Sequence, residues 1–247
     1  MIRLIPIESG YMTADEGVLC EGASGLRRFP VCCWVVEHPK GNIIFDTGLH
    51  AELRSDASRL GDLASVFEID MKHNLKTAIE KQGIDPNGID YIVFSHLHFD
   101  HCGGTAAIPN ARIIVQADEW ETGKSEAFIS GPTYHASEFN LGHDVNEIEG
   151  FHDIFGDASV VCVPTPGHTK GHQSLRVELE SGSVLLVGDC CYWRRMLEED
   201  LVPPFGFDVN LQRESMQTLR ALNKEGVKLI FGHDVEQWLE INHQVLL

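Results

Sequence analysis

The chain has 247 residues, 43% of them hydrophobic and 23% charged, with a formal net charge of −18. That length supports a large core, and residues 1–247 are expected to form a single domain. So acidic a surface repels nucleic-acid backbones and anionic membranes, and no apolar run approaches the roughly 18 residues a membrane span needs.

Residues 1–6 lack the apolar segment of an export signal, so a cytoplasmic location is expected, a leader already removed being the exception. The sequence leaves a homodimer open. Seven cysteines, an odd number without C-x-x-C spacing, include the adjacent pairs Cys32-Cys33 and Cys190-Cys191. They read as reduced, buried small hydrophobes, the alternative being a reactive thiol at Cys190 or Cys191.

In chain order, residues 2–7 alternate loosely as a first strand that closes at Ser9-Gly10. Residues 31–38 form a β-branched and aromatic strand. The turn 39–42 joins it to a buried strand, 43–45, that ends at Asp46-Thr47-Gly48. Residues 49–70 are less regular. Met71, Leu75 and Ile79 recur at helical spacing before Gly83 stops the helix. Strands follow at 89–94 and 111–115, then a polar helix near 117–124 and an extended loop or short helical insertion over 125–150. The second half continues with a strand at 159–163 and a hairpin of 174–179 with 183–187. An amphipathic helix passes through Leu211, Ser215, Thr218, Leu219 and Leu222, and a last strand spans 228–231. Strands and helices mixed in this way, with hairpins in place of strict βαβ alternation, predict an α/β fold of two packed sheets with helices outside.

Four strands each end in a residue able to bind metal: Phe94 precedes His96, Val163 precedes His168, Val187 precedes Asp189, and Phe231 precedes His233. If those strand ends share an edge, the four residues meet. Within the thirteen histidines, the run His96-x-His98-x-Asp100-His101 is the densest. Imidazole nitrogen and carboxylate oxygen together suit zinc, or manganese, iron or cobalt. Four such groups within six residues crowd a single tetrahedral ion but serve two ions, His96 and His98 on one, Asp100 and His101 on the other. His168 and His233 would complete the sites and Asp189 would bridge them. The glycines preceding His168, Asp189 and His233 leave room for close backbone approach. A structural zinc site would be closed and mostly cysteine, unlike this set. Asp46 is a candidate to orient a ligand histidine and His172 to hydrogen-bond beside the site; Asp234 either orients a ligand or caps a helix. His38, His50, His73, His135, His143, His152 and His243 are expected at the surface.

The run Ser95-His96-Leu97-His98-Phe99-Asp100-His101-Cys102-Gly103-Gly104 resembles the signature of the metallo-β-lactamase superfamily. Asp46-Thr47-Gly48, the segment 165–172, Asp189 and Gly232-His233-Asp234 follow in that superfamily's order, so the similarity spans about residues 30–240. Within it the chain is most similar to the N-acyl-homoserine lactone lactonases, the quorum-quenching enzymes. The segment 165–174, Tyr192 three residues after Asp189, and the segments 202–208 and 231–237 carry that likeness. Cys190-Cys191 departs from the small residues expected there.

The resemblance implies an αββα sandwich with two divalent ions, zinc before manganese, iron or cobalt, at one edge. It implies a small-molecule lactone substrate; the net charge and the lack of a long apolar run lead us to expect no nucleic-acid or membrane partner. Two cations lower the pKa of a shared water from 15.7 toward about 7, so a metal-bridging hydroxide can open the ring without a side-chain base. Tyr192 would donate a hydrogen bond to the developing oxyanion, and Asp100, also a ligand, would pass a proton to the leaving ring oxygen. Leu19, Phe29, Leu63, Phe67, Phe205 and Phe207 are candidates to line an acyl groove. A lactonase for another ring, such as 4-pyridoxolactone, would want a polar pocket. A glyoxalase-II-like thioesterase would want a basic tail, which the C-terminus lacks.

Overall fold

The structure, a computed structural model, describes residues 1–125 and 132–247. Among these the strands form two sheets. The larger is built from β1 (Arg3–Asp15), β2 (Leu26–Glu37), β3 (Ile43–Phe45), β4 (Glu68–Asp70), β5 (Tyr91–Val93), β6 (Arg112–Gln116) and β7 (Val145–Ile148), in the order β4-β1-β2-β3-β5-β6-β7. The smaller is built from β8 (His152–Asp153), β9 (Val160–Pro164), β10 (Gln173–Leu179), β11 (Gly182–Leu186) and β12 (Lys228–Ile230), in the order β12-β11-β10-β9-β8.

The period-2 alternation of strand side chains sorts the core into layers. From β2, Trp34 and Val36 face inward and meet Leu175, Val177, Val184 and Leu186 of the second sheet. Cys33 and Val35, on the opposite face, pack with Leu75 and Ile79 of α2 (Leu75–Lys81) and Trp120 of α4 (Ala117–Lys124). On the outer face of the second sheet, Leu185 and Leu229 pack against Met216 and Leu219 of α7 (Val209–Lys224). Burial of each such side chain contributes about 1.5–3 kcal/mol. Helix, sheet, sheet and helix are thus stacked as an αββα sandwich.

The helix through Leu211 and Leu222 begins where Asp208 accepts from the amides of Asn210 (2.8 Å) and Leu211 (3.0 Å). Such a cap is worth about 1 kcal/mol. The remaining helices are short: α1 (Glu16–Leu19), α3 (Phe99–Cys102), α5 (Ala136–Phe139), α6 (Arg194–Glu199) and α8 (Val235–Ile241). No helix of the described residues is long and apolar enough to cross a membrane.

Two expectations need correction, the first strand and the stretch 125–150, and the irregular stretch 49–70 gains detail. The first strand does not close at Ser9-Gly10. β1 runs through it with a bulge between Glu8 and Gly10, and Ser9 Oγ accepts from Leu49 N at 2.9 Å. A bulge adds a residue without ending the pairing. Residues 49–70 contain two 3₁₀ segments, Ala51–Arg54 and Ala57–Ser65, and the edge strand β4, whose three residues are too few for a periodic signal. In the stretch 125–150, residues 126–131 lie outside the described residues. The rest holds α5 and β7, the latter pairing in parallel with β6.

Candidate metal centre

Strand direction explains why distant residues converge. β9 and β11 both run antiparallel to β10, and β12 runs parallel to β11. The carboxyl ends of β9, β11 and β12 therefore lie at one edge, and these deliver His168, Asp189 and His233. β5 belongs to the other sheet. Gln173 ties its end in place, donating from its amide to Ser95 O (2.9 Å) and from Nε2 to Phe94 O (2.8 Å). The meeting point is thus the shared end of both sheets, not an edge of one.

The turns into the ligands need glycine at two points above all. Gly188 has φ +61°, and a Cβ there would sit 2.8 Å from His172 Nε2. Gly167 has φ +131°, and a Cβ would sit 2.2 Å from the amide nitrogen of Gln212. Positive φ at both, with the His172 ring against the first and backbone against the second, excludes larger residues.

The structure brings His96, His98, Asp100, His101, His168, Asp189 and His233 together. Asp189 faces both ways. Its Oδ1 lies 3.2 Å from His101 Nε2 and 3.1 Å from His233 Nε2. Its Oδ2 lies 3.5 Å from His168 Nε2 and 3.8 Å from His96 Nε2. His98 Nδ1 is 3.1 Å from His168 Nε2, which puts His98 with His96 and His168. Asp100 Oδ2 is 3.6 Å from His101 Nε2 and 3.7 Å from His233 Nε2, which completes the other group. Donors about 2.0–2.1 Å from a tetrahedral ion lie about 3.4 Å from one another. The observed separations bracket that spacing in both groups. His96 Nε2, His101 Nε2 and Asp189 Oδ1 are moreover buried without a hydrogen-bond partner among the described residues, a costly state for polar atoms unless something else binds them. The donors are all nitrogen and oxygen. The set therefore fits two divalent cations.

Behind the donors stands a set of orienting bonds. His101 Nδ1 lies 2.8 Å from Asp46 Oδ2, and His233 Nδ1 lies 2.8 Å from Pro30 O. Ser95 donates from Oγ to Asp46 Oδ2 (2.8 Å) and from its amide to Asp46 Oδ1 (2.7 Å), and its Oγ is 3.0 Å from His96 Nδ1. With Nδ1 protonated in these three rings, each Nε2 is left free to bind. Asp46 holds this position with φ +59°. His172 accepts from Asp189 N through Nε2 at 2.9 Å, so it positions the carboxylate instead of joining the donors. Asp234 caps α8 through Gln237 N (2.9 Å) and accepts from Arg194 N (2.9 Å).

Burial pushes His96 and His98 well below the ordinary histidine range and His168 down to about 4, so these rings stay neutral, the form that binds metal. Burial acts in the same direction on His101 and His233, but the carboxylates of Asp189 and Asp100 outweigh it and raise both. For Asp189, burial favours the neutral acid. His101 and His233 overcome that and hold it well below the carboxylate range. Asp189 is thus a fixed negative charge at the centre. Cys190 and Cys191 are buried, which raises both thiols well above the ordinary range and argues against a reactive thiol. The histidines expected at the surface are all exposed or half-buried.

The centre opens onto a cavity of about 260 Å³. Leu19, Phe29, Leu63, Phe67 and Phe205 line it as expected, beside Tyr192, His168 and His233. Phe207 does not; it is 55% exposed and lines a neighbouring groove with Lys170 and Thr122. Met12, Val18, Val66 and Phe99 line the cavity too and were not anticipated. Phe99 stands between His98 and Asp100, a position that could have disclosed it; the other three carry no local signal. The Tyr192 ring lies 5.8 Å from that of His168 and 5.5 Å from that of His233, facing both donor groups.

The fold and the donor set define a class. The family model described as the metallo-beta-lactamase superfamily matches residues 26–233, and the chain belongs to that superfamily. Among its relatives, the N-acyl homoserine lactonase AttM of Azorhizobium caulinodans is 32% identical over 96% of this chain and 95% of its own length. The N-acyl homoserine lactonase AiiA of Bacillus thuringiensis subsp. kurstaki is 36% identical over 86% of this chain and 84% of its own. A solved N-acyl homoserine lactone hydrolase, with the product N-hexanoyl-L-homoserine bound at its catalytic metal centre, superposes with a TM-score of 0.86. It is 31% identical and covers 96% of this chain and 95% of its own.

Proposed function

We propose that this chain is a metal-dependent hydrolase that opens the lactone ring of N-acyl-homoserine lactones and so quenches quorum signals. The observation that carries the reading is Asp189, whose two carboxylate oxygens face separate donor groups at the mouth of an apolar cavity. The relatives named for this activity, aligned over nearly the whole chain, support it. His96, His98 and His168 would hold one ion, Asp100, His101 and His233 the other, and Asp189 both. The donors suit zinc first, then manganese, iron or cobalt. When bound, such ions polarise the ester carbonyl and supply hydroxide at neutral pH.

The chain's own residues supply the rest. Ring opening adds the oxygen of water to the carbonyl carbon and a proton to the ring oxygen as the C–O bond breaks. Tyr192 donates its hydroxyl to the oxygen on which negative charge develops. Burial raises its pKa well above the ordinary value, which keeps it a donor. Asp100, whose pKa burial also raises, takes up the proton that water loses on adding to the carbonyl carbon and passes it to the departing ring oxygen. The cavity wall of Met12, Leu19, Phe29 and Phe67 takes an apolar acyl chain and excludes water. That lining favours a fatty acyl tail over a charged heterocycle such as 4-pyridoxolactone. We place residues 1–247 in one working domain, in the cytoplasm, with no nucleic-acid partner for a chain of net charge −18.

A hydrolysis panel tests this: short and long acyl-homoserine lactones, 4-pyridoxolactone, S-lactoylglutathione and a cephalosporin, each with and without chelator. Chelator-sensitive opening of the acyl-homoserine lactones is expected. Turnover of the thioester alone would refute the reading. Tyr192→Phe is expected to lower kcat by roughly 100-fold, the order seen when one oxyanion donor is removed, with metal content unchanged. An unaltered kcat would remove Tyr192 from the mechanism.

A further inference from the structure

Glu119, in the first turn of α4, is fully buried, at 0% exposure. A carboxylate in that position is costly unless its lone pairs are well bonded. Here they meet donors from three separate segments. Oε1 accepts from Leu97 N (3.0 Å) and from the Tyr134 hydroxyl (3.0 Å), and Oε2 accepts from Gly171 N (3.2 Å).

Two of those donors belong to the loops that carry metal donors. Leu97 stands between His96 and His98, and Gly171 is three residues past His168. The third, Tyr134, packs its ring 4.9 Å from that of His98 and forms a backbone bridge with it. The helix is seated without slack against both loops. A Cβ on Gly171 would lie 2.3 Å from Glu119 N, and one on Gly123 would lie 2.8 Å from Leu97 Cδ1. Across this junction His98 Nδ1 and His168 Nε2 are held 3.1 Å apart. The other donor group is anchored elsewhere, His101 by Asp46 and His233 by Pro30 O.

We propose that Glu119 is a positioning residue for the His96–His98–His168 ion alone, its carboxylate clamping the two loops that bring those rings together. The proposal rests on the dinuclear reading above. An ionised carboxyl only accepts hydrogen bonds, which suits three converging donors, whereas an amide must turn its own N–H groups toward at least one of them. Glu119→Gln therefore opens one side of the clamp with almost no change in volume.

The test is chelator-driven metal release from protein loaded with two equivalents of cobalt, followed by absorbance and by metal analysis. In Glu119→Gln one equivalent is expected to leave about 10–100-fold faster than in wild type, the usual cost of losing an orienting contact, while the second leaves at the wild-type rate. Tyr134→Phe, which removes one donor and leaves both loops intact, is expected to speed the same equivalent to a smaller degree. Release of both ions at wild-type rates, or equal acceleration of both, would overturn the proposal, the latter marking a general loosening. If Glu119→Gln does not fold, Tyr134→Phe decides by the same criterion. Wild-type protein that binds fewer than two equivalents would remove the dinuclear reading and this proposal together. Two equivalents in wild type with no selective release in the variants would remove only the role of Glu119.

Discussion

Asp189→Ala is expected to reduce the chain from two bound metal equivalents to less than one and to lower turnover by roughly 10³-fold or more. The reason lies in the contacts of one side chain. Asp189 has an oxygen 3.1–3.2 Å from His233 and His101 and another 3.5 Å from His168. Every donor group loses a member when it goes. The only other carboxylate among the donors is Asp100, on the His101 and His233 side. Without Asp189, the His96, His98 and His168 group would hold a dication with neutral imidazoles only, and the two groups would share no atom. Metal analysis after extensive dialysis, beside kcat for an acyl-homoserine lactone, measures both effects. Full metal content with intact turnover would show that Asp189 does not join the two sites.

Removal of the ions is expected to cost the fold nearly as much as the chemistry. Each ion that binds only the native state, at free concentration about 1,000 times its Kd, adds about 4 kcal/mol. Two such ions add about 8 kcal/mol, and for a chain of this size that corresponds to a fall in Tm of about 15–30 °C on stripping. The geometry makes the apo state costly. Asp189 and Asp100 are 4% and 6% exposed, and His96 Nε2, His101 Nε2 and Asp189 Oδ1 are buried without a hydrogen-bond partner among the described residues. Calorimetry before stripping, after chelation, and after zinc is restored would measure the shift. An unchanged Tm in apo protein would mean that the cluster is satisfied without ions.

The seven candidate donors were legible because their signal is local. Four of them fall within six residues, and the other three each follow an apolar strand by way of glycine. The orienting role of Asp46 could be suspected from its turn, and helix α7 could be read from its spacing. The edge strand β4 could not, since three residues carry no period and their pairing depends on Tyr11, Met12 and Thr13, more than fifty residues away. Phe207 was misjudged because apolar character does not say which side of a loop a ring takes. Glu119 was unreadable for a similar reason. An acidic residue in a first helical turn ordinarily answers the helix dipole in solvent, and nothing local shows that two loops and a phenol close over it.

The amino-acid sequence by itself determined the chemistry available to this protein: which side chains can bind cations, the layered α/β class, and the superfamily. The tertiary structure alone decided which donors stand together, that Asp189 turns one oxygen to each group, and that an apolar cavity opens beside them. The physical reason is range. Ligand type and strand period are properties of neighbours in the chain, whereas donor spacing and burial arise only when the ends of β5, β9, β11 and β12 are packed against one another.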